Sequence, residues 1–361
     1  MNQKLAVTAV SLPIDRYLKN RSEELLRGDL RYVRLFPLTL ARPVEELVRR
    51  RQRLFAKCDL VPTDYGYQVF FSRKLKPSRT RPLGRTIEGC FEILGISQRS
   101  CLIASSLDSD AEAQGPRRLA NRTYPYAKRP FITSIDLTKL INDLAEENGW
   151  EAVSLDAIGY DRETHKFRRD MKRQSIDEVL EEMKEQGRDL HRTTISFGSG
   201  SEGEVYRASF DRYGTAAVFR GPLFKAVLGF LLRVLNKHDV SCRDLAIRRE
   251  NRLSKQKMIQ LVFPAGTFET HERMAAICIA LRRGNGLSVS TIHLNPYLQA
   301  QVLDFMTGEA VEVVILNDNT VSLIPRSENC GGTLERVVST VFRFFGEGQV
   351  RQGAVMPSSR E

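Results

Sequence analysis

Apolar positions recur at helical or strand spacing along most of the chain, and the changes of period divide it into four stretches. In residues 1–130 the clearest element is a helix from Pro43 to Cys58. Proline occupies its first turn, and Val44, Leu47, Val48, Phe55 and Cys58 share one side. A strand over Tyr67–Phe71 then leads into a basic, proline-containing loop at 72–86, and a second loop is expected at 106–130. Residues 131–197 are the most regular. The pattern predicts a strand at Phe131–Ile135, a helix marked by Leu137, Leu140, Ile141 and Leu144 that closes at Gly149, and a strand at Trp150–Ile158. A charged strand, His165–Met171, follows. Ser175 and Glu178 form a capping box ahead of the stripe Ile176, Val179, Leu180 and Met183, and a last strand covers Leu190–Phe197.

From residue 198 a new unit is expected. The strand candidates Thr193–Phe197, Val205–Phe210 and Ala216–Arg220 form a meander, and an apolar helix covers Pro222–Asn236. A strand Met258–Phe263, a helix capped by Thr267 and closed by Gly284, a strand Leu287–His293 and a short helix after Pro296 come next. A hairpin Val311–Leu316/Val321–Ile324 and a final helix Leu334–Phe345 complete it, with a disordered tail over 347–361. The expected fold class is α+β, in three parts. A basic N-terminal α/β region spans 1–130, a ferredoxin-like βαββαβ module spans 131–197, and a mixed α/β domain with an RNase H-like order spans 198–346. The central module resembles an RNA-recognition motif in topology only. Lys166-Phe167-Arg168-Arg169-Asp170-Met171 holds one aromatic where that family has several, so none of the family's binding residues carries over. No internal repeat is found.

Charge carries the strongest functional signal. The 361 residues carry 55 Lys+Arg against 44 Asp+Glu, a net of +11, and arginine supplies 41 of the 55 cations. Arginine makes bidentate phosphate contacts and stacks on bases, whereas lysine is a hydrated point charge. The excess is segregated, with a net of +12 in 1–130, −5 in 131–200, +7 in 201–300 and −3 in 301–361. Such segregation predicts a basic face and a polyanionic partner, either RNA or DNA. Arg49, Arg50 and Arg53 project from the helix side away from its apolar stripe, where a solvated helix back explains them equally well. Arg73, Lys74, Lys76, Arg79 and Arg81 crowd the first loop. The second interleaves Arg117, Arg118, Arg122, Lys128 and Arg129 with Tyr124 and Tyr126, the composition of a base-stacking surface or of a tyrosine-anchored linker. Arg168 and Arg169 lie on the charged strand. A last cluster, Arg243, Arg248, Arg249, Arg252, Lys255 and Lys257, lies between an apolar helix and an apolar strand.

Catalytic signals are weaker. Gly198 to Tyr206 fits the glycine-rich loop of protein kinases, with Cys242-Arg243-Asp244-Leu245 and Asp304-Phe305 downstream. Phe219 stands where a phosphate-holding lysine is needed, and Asn251 falls seven residues after Asp244, so the kinase pattern fails. Asp161, Glu163 and His165 alternate, with Asp156 on the preceding strand. A metal-dependent nuclease using Asp156, Asp161 and Glu163, with Mg or Mn held by Asp161, Glu163 and His165, is the competing reading. An adaptor that meets an acidic protein is a third. Six scattered cysteines without a C-x-x-C pair fit a reducing cytosol, and no apolar run approaches the roughly 20 residues of a membrane span. The expected protein is a cytoplasmic, non-catalytic nucleic-acid-binding subunit of a larger complex, with other protein subunits as partners, no membrane partner and no cofactor.

Overall fold

Strand β1 (Val33–Leu40) shows how the larger of two sheets is built, because its alternate side chains enter different cores. Val33 and Leu35 join one apolar cluster, and Phe36 and Leu38 join another. The computed structural model describes residues 12–77, 84–124, 126–161, 167–172, 176–186, 188–199, 204–238, 258–284, 286–326 and 331–352. The chain divides into two units, the first within residues 1–238 and the second chiefly 239–361. The α+β class is as expected.

The first unit is organised around one eleven-stranded sheet. Its strands are β1, β2 (Lys57–Thr63), β3 (Gly66–Leu75), β4 (Arg85–Ser97), β5 (Ser100–Ser105), β6 (Ala127–Lys128), β7 (Glu151–Asp161), β8 (Phe167–Lys172), β9 (Arg188–Gly198), β10 (Glu204–Asp211) and β11 (Ala216–Arg220). They lie in the order β2-β3-β4-β5-β1-β11-β10-β9-β7-β8, with β6 added to β1. Strands from all three expected segments therefore share hydrogen bonds in one sheet.

The two faces are covered differently. Helices α1 (Leu12–Arg27), α5 (Ser134–Asn148), α6 (Ile176–Glu185) and α7 (residues 223–238) send Leu18, Ile141, Leu144, Val179 and Phe230 into the first cluster, with Tyr206, Ala208 and Phe210 of β10. Helices α2 (Val44–Arg51), α3 (Ser109–Gln114) and α4 (Pro116–Asn121) cover the other face. Their Leu47, Val48, Ala111 and Leu119 pack with Phe71, Phe91 and Ile103, but that cluster contains nothing from β7 to β11. Half of the second face thus lacks an apolar helical cover among the described residues. Gly115, between α3 and α4, is required by close approach: a Cβ there would sit 2.3 Å from the Phe71 ring, which seats the start of α4 against the sheet.

Several sequence expectations change. No strand forms at Phe131–Ile135; instead the Thr133 side chain accepts from the Asp136 N–H and caps α5, so the ferredoxin-like order lacks its first strand. The helix begun at Pro43 ends at Arg51, and Cys58 lies on β2. Arg73 to Leu75 continue β3 rather than entering a loop, because β4 pairs with them along the hairpin. Residues 78–83, with Arg79 and Arg81, lie outside the described residues. The 106–130 segment folds into α3, α4 and β6.

The second unit holds one six-stranded sheet. It contains β12 (Ile259–Val262), α8 (His271–Arg282), β13 (Leu287–His293), β14 (Leu298–Asp304), β15 (Glu309–Ile315), β16 (Thr320–Pro325), α9 (Gly331–Phe345) and β17 (Gln349–Gln352). Every neighbouring pair is antiparallel, and the meander β9–β11 expected to open an RNase H-like domain belongs to the first sheet. The helix expected after Pro296 is strand β14, whose buried Leu298, Ala300 and Val302 alternate with polar positions. Part of the tail expected to be disordered forms β17 against β12. Asp304 is fully buried. It accepts from the Met306 N–H at 2.9 Å and pairs with Arg336, so Asp304-Phe305 is a turn anchor. Among the described residues, no helix is long and apolar enough to cross a membrane.

Candidate nucleic-acid interface

The half-face without an apolar helix over it among the described residues owes its chemistry to strand alternation. On β10 the apolar Tyr206, Ala208 and Phe210 face the helices, which leaves Arg207, Ser209 and Asp211 for the other side. The register carries small or polar side chains across five strands, of which Ser105, Ala217 and Ser209 are buried. Ser105 opposes Arg34, Arg34 opposes Ala217, Ala217 opposes Ser209, and Ser209 opposes Thr194. Arg192 of β9 lies opposite Asp211 and is exposed, without an ion-pair partner among the described residues.

Two aromatic rings stand in this polar field. The Tyr32 and Phe219 centroids are 6.0 Å apart, and both side chains are partly exposed. Arg34 lies 5.1 Å from the Tyr32 centroid and Arg207 lies 5.8 Å from that of Phe219, giving a row of cation, ring, ring, cation. The Tyr32 hydroxyl donates to the Leu107 carbonyl at 2.6 Å; burial and then the Glu112 charge raise its pKa, so the phenol stays neutral.

Beside the row lies a cavity of about 230 Å³ lined by Arg34, Arg117, Arg129, Arg192, Ser209 and Thr215, among others. Glu112 is fully buried and takes hydrogen bonds from both Arg34 and Arg117 on one oxygen, while its other oxygen has no partner. Arg129 is mostly buried. It donates to Asn121 Oδ1 and Thr215 Oγ1, both at 2.5 Å, and lies 4.9 Å from the Tyr213 centroid. Burial holds its pKa below the ordinary arginine value against the opposing pull of Asp211, 3.9 Å away.

A second cationic group adjoins α4. Arg73 of β3, Arg118 of α4 and Arg122 just beyond it are close enough to repel, and none has a carboxylate partner among the described residues. Burial first, and then the Arg122 charge, lowers the Arg73 pKa. For Arg118 the order is burial, Arg73 and Arg122. Like charges held together without a carboxylate repel one another, and a bound anion would relieve that repulsion.

The structure gathers some expected residues and leaves others apart. Arg73, Arg117 and Arg118 belong to the two basic groups. Arg49, Arg50 and Arg53 are exposed on and after α2, with Arg50 3.7 Å from Glu46. Lys74 and Lys76 are exposed at the end of β3 and beyond it. Arg51 donates to the Tyr124 backbone carbonyl and lies 5.2 Å from the Tyr126 centroid, so the Tyr126 ring already faces an arginine of its own chain. Arg168 and Arg169 lie on the edge strand β8, opposite Gly159 and Ile158. Arg243, Arg248, Arg249, Arg252, Lys255 and Lys257 fall outside the described residues, as do Glu163 and His165. Asp156 is half-buried on β7 and Asp161 ends that strand; among the described residues no group of metal-ligating side chains forms.

Arg34, Arg192, Arg207, Tyr32 and Phe219 were not among the expected site residues. Their signal is local: Arg34 interrupts the apolar run of β1, and Arg207 and Phe219 occupy polar-face positions of strands that the sequence locates well. No protein-family model and no curated protein significantly matches this chain.

Proposed function

We propose that the chain binds nucleic acid, RNA or DNA, on the half-covered face of its larger sheet. The observation that carries this reading is the row Arg34, Tyr32, Phe219 and Arg207, with further arginines on either side. Rings between guanidiniums suit bases and the phosphates that flank them, because a base offers a π-face and a phosphate accepts two N–H bonds. An acidic protein would satisfy the charges and leave the partly exposed rings without purpose, so the row favours a polynucleotide. Single-stranded nucleic acid suits it best, since its bases are free to stack.

Charge bookkeeping sets the test. Arg73, Arg118, Arg122, Arg192 and Arg207 lack carboxylate partners among the described residues. If each neutralises one phosphate of a single strand, log K falls against log salt with a slope of about −3.5. Affinity for a 20–30-nucleotide probe should then drop roughly 100-fold between 50 and 200 mM salt, followed by fluorescence anisotropy. A slope near zero overturns the phosphate contacts.

A further inference from the structure

The arginine cavity differs from the rest of the face in shape, and the difference bears on what enters it. Four guanidiniums reach it from separate parts of the first unit: Arg34 from β1, Arg117 from α4, Arg129 from the segment after β6, and Arg192 from β9. Ser209 and Thr215 add hydroxyls to its lining. Of the two acids, Asp211 lines the cavity itself and Glu112 lies behind Arg34 and Arg117. Glu112 serves Arg34 and Arg117 together, and Asp211 accepts the Tyr213 and Thr215 N–H groups at 2.9 Å, holding the β10–β11 turn. Set against these two carboxylates, the four guanidiniums leave the cavity a surplus of about two positive charges, and the Nε of Arg129 is buried without a partner.

A phosphodiester within a strand carries one charge and continues in two directions, so it lies along a surface. A phosphomonoester has one bridging bond, three terminal oxygens and up to two charges, so it enters a cavity by its tip. We infer that the cavity receives the terminal phosphate of a nucleic-acid strand and so makes the sheet face a reader of strand ends. The inference rests on the nucleic-acid reading and fixes where one end of the strand is held. Guanidiniums converging on three oxygens provide the charge-assisted bonds that separate a phosphorylated end from a hydroxyl end.

The test compares one oligonucleotide sequence with a 5′-phosphate, a 3′-phosphate, or hydroxyls at both ends, with inorganic phosphate and a nucleoside 5′-monophosphate as competitors. One phosphorylated form should bind at least about tenfold more tightly than the hydroxyl form, and the preferred end identifies the strand's direction. The nucleoside monophosphate should reduce this preference; inorganic phosphate should do so at higher concentration. Arg117→Gln should bring the affinity of the preferred phosphorylated form down to that of the hydroxyl form. Arg73→Gln, outside the cavity, should weaken all three forms equally. Equal binding of the three forms by the unmodified protein overturns the end-reading inference and leaves the nucleic-acid reading intact. Binding of none overturns both.

Discussion

Replacing Arg192 and Arg207 together with alanine should weaken nucleic-acid binding about 30-fold at 0.1 M salt and leave the fold unchanged. At that salt, releasing the counterions of one single-strand phosphate is worth about 1 kcal/mol, so two lost contacts cost about 2 kcal/mol. Both residues are exposed, and neither holds a carboxylate among the described residues, so stability should shift by less than about 0.5 kcal/mol. The salt slope should become shallower by about 1.4, which separates lost phosphate contacts from a general loss of structure. Arg192→Lys with Arg207→Lys keeps the slope but loses the two-pronged phosphate bonds of the guanidiniums and the Arg207 contact with the Phe219 ring, so it should recover only part of the affinity. Anisotropy titrations at several salt concentrations read all of these quantities.

The largest effect on stability is expected at Glu112. Its carboxylate is fully buried and holds Arg34 and Arg117, which are 17% and 44% exposed, so it sits against cations from β1 and α4. Glu112→Gln preserves shape and removes the charge. Two guanidiniums are then left facing each other, with a buried amide between them that cannot satisfy both. A broken buried ion pair costs about 3–5 kcal/mol; the partial exposure of both arginines lowers the expectation to about 2–4 kcal/mol, or a fall of about 5–10 °C in the melting temperature of the first unit. Differential scanning calorimetry measures it. A change below about 1 °C would mean that water already screens these arginines.

Much of the fold was legible because strand and helix periods are local properties. The strands β9, β10, β11 and β13 and the helices α5, α6 and α9 fall close to where their apolar stripes place them. What was not legible depends on partners distant in sequence. β3 extends through Arg73 because β4 supplies its hydrogen bonds, and Phe131–Ile135 lacks such a partner and gives way to the Thr133 cap. β14 follows Asn295-Pro296 as a strand because β13 and β15 flank it. The site was legible in composition but less so in position. Runs of arginine drew attention to the segments around Arg49 and Arg73, whereas the aromatic row comes from single residues on separate strands. Arg34 and Arg207 are isolated in sequence, and the order β1-β11-β10 makes them neighbours of Tyr32 and Phe219. Alternation alone assigns Phe219 to the polar face once Ala216 and Val218 are assigned to the core.

Hydroxyl-radical footprinting with and without a saturating single-stranded oligonucleotide reports on the rings themselves. Tyr32 and Phe219 should lose most of their oxidation on binding. Trp150 and Phe224, packed with the helix-covered core on the other face, should be unchanged. Unaltered oxidation of Tyr32 and Phe219 in the bound protein would contradict the assignment of this face.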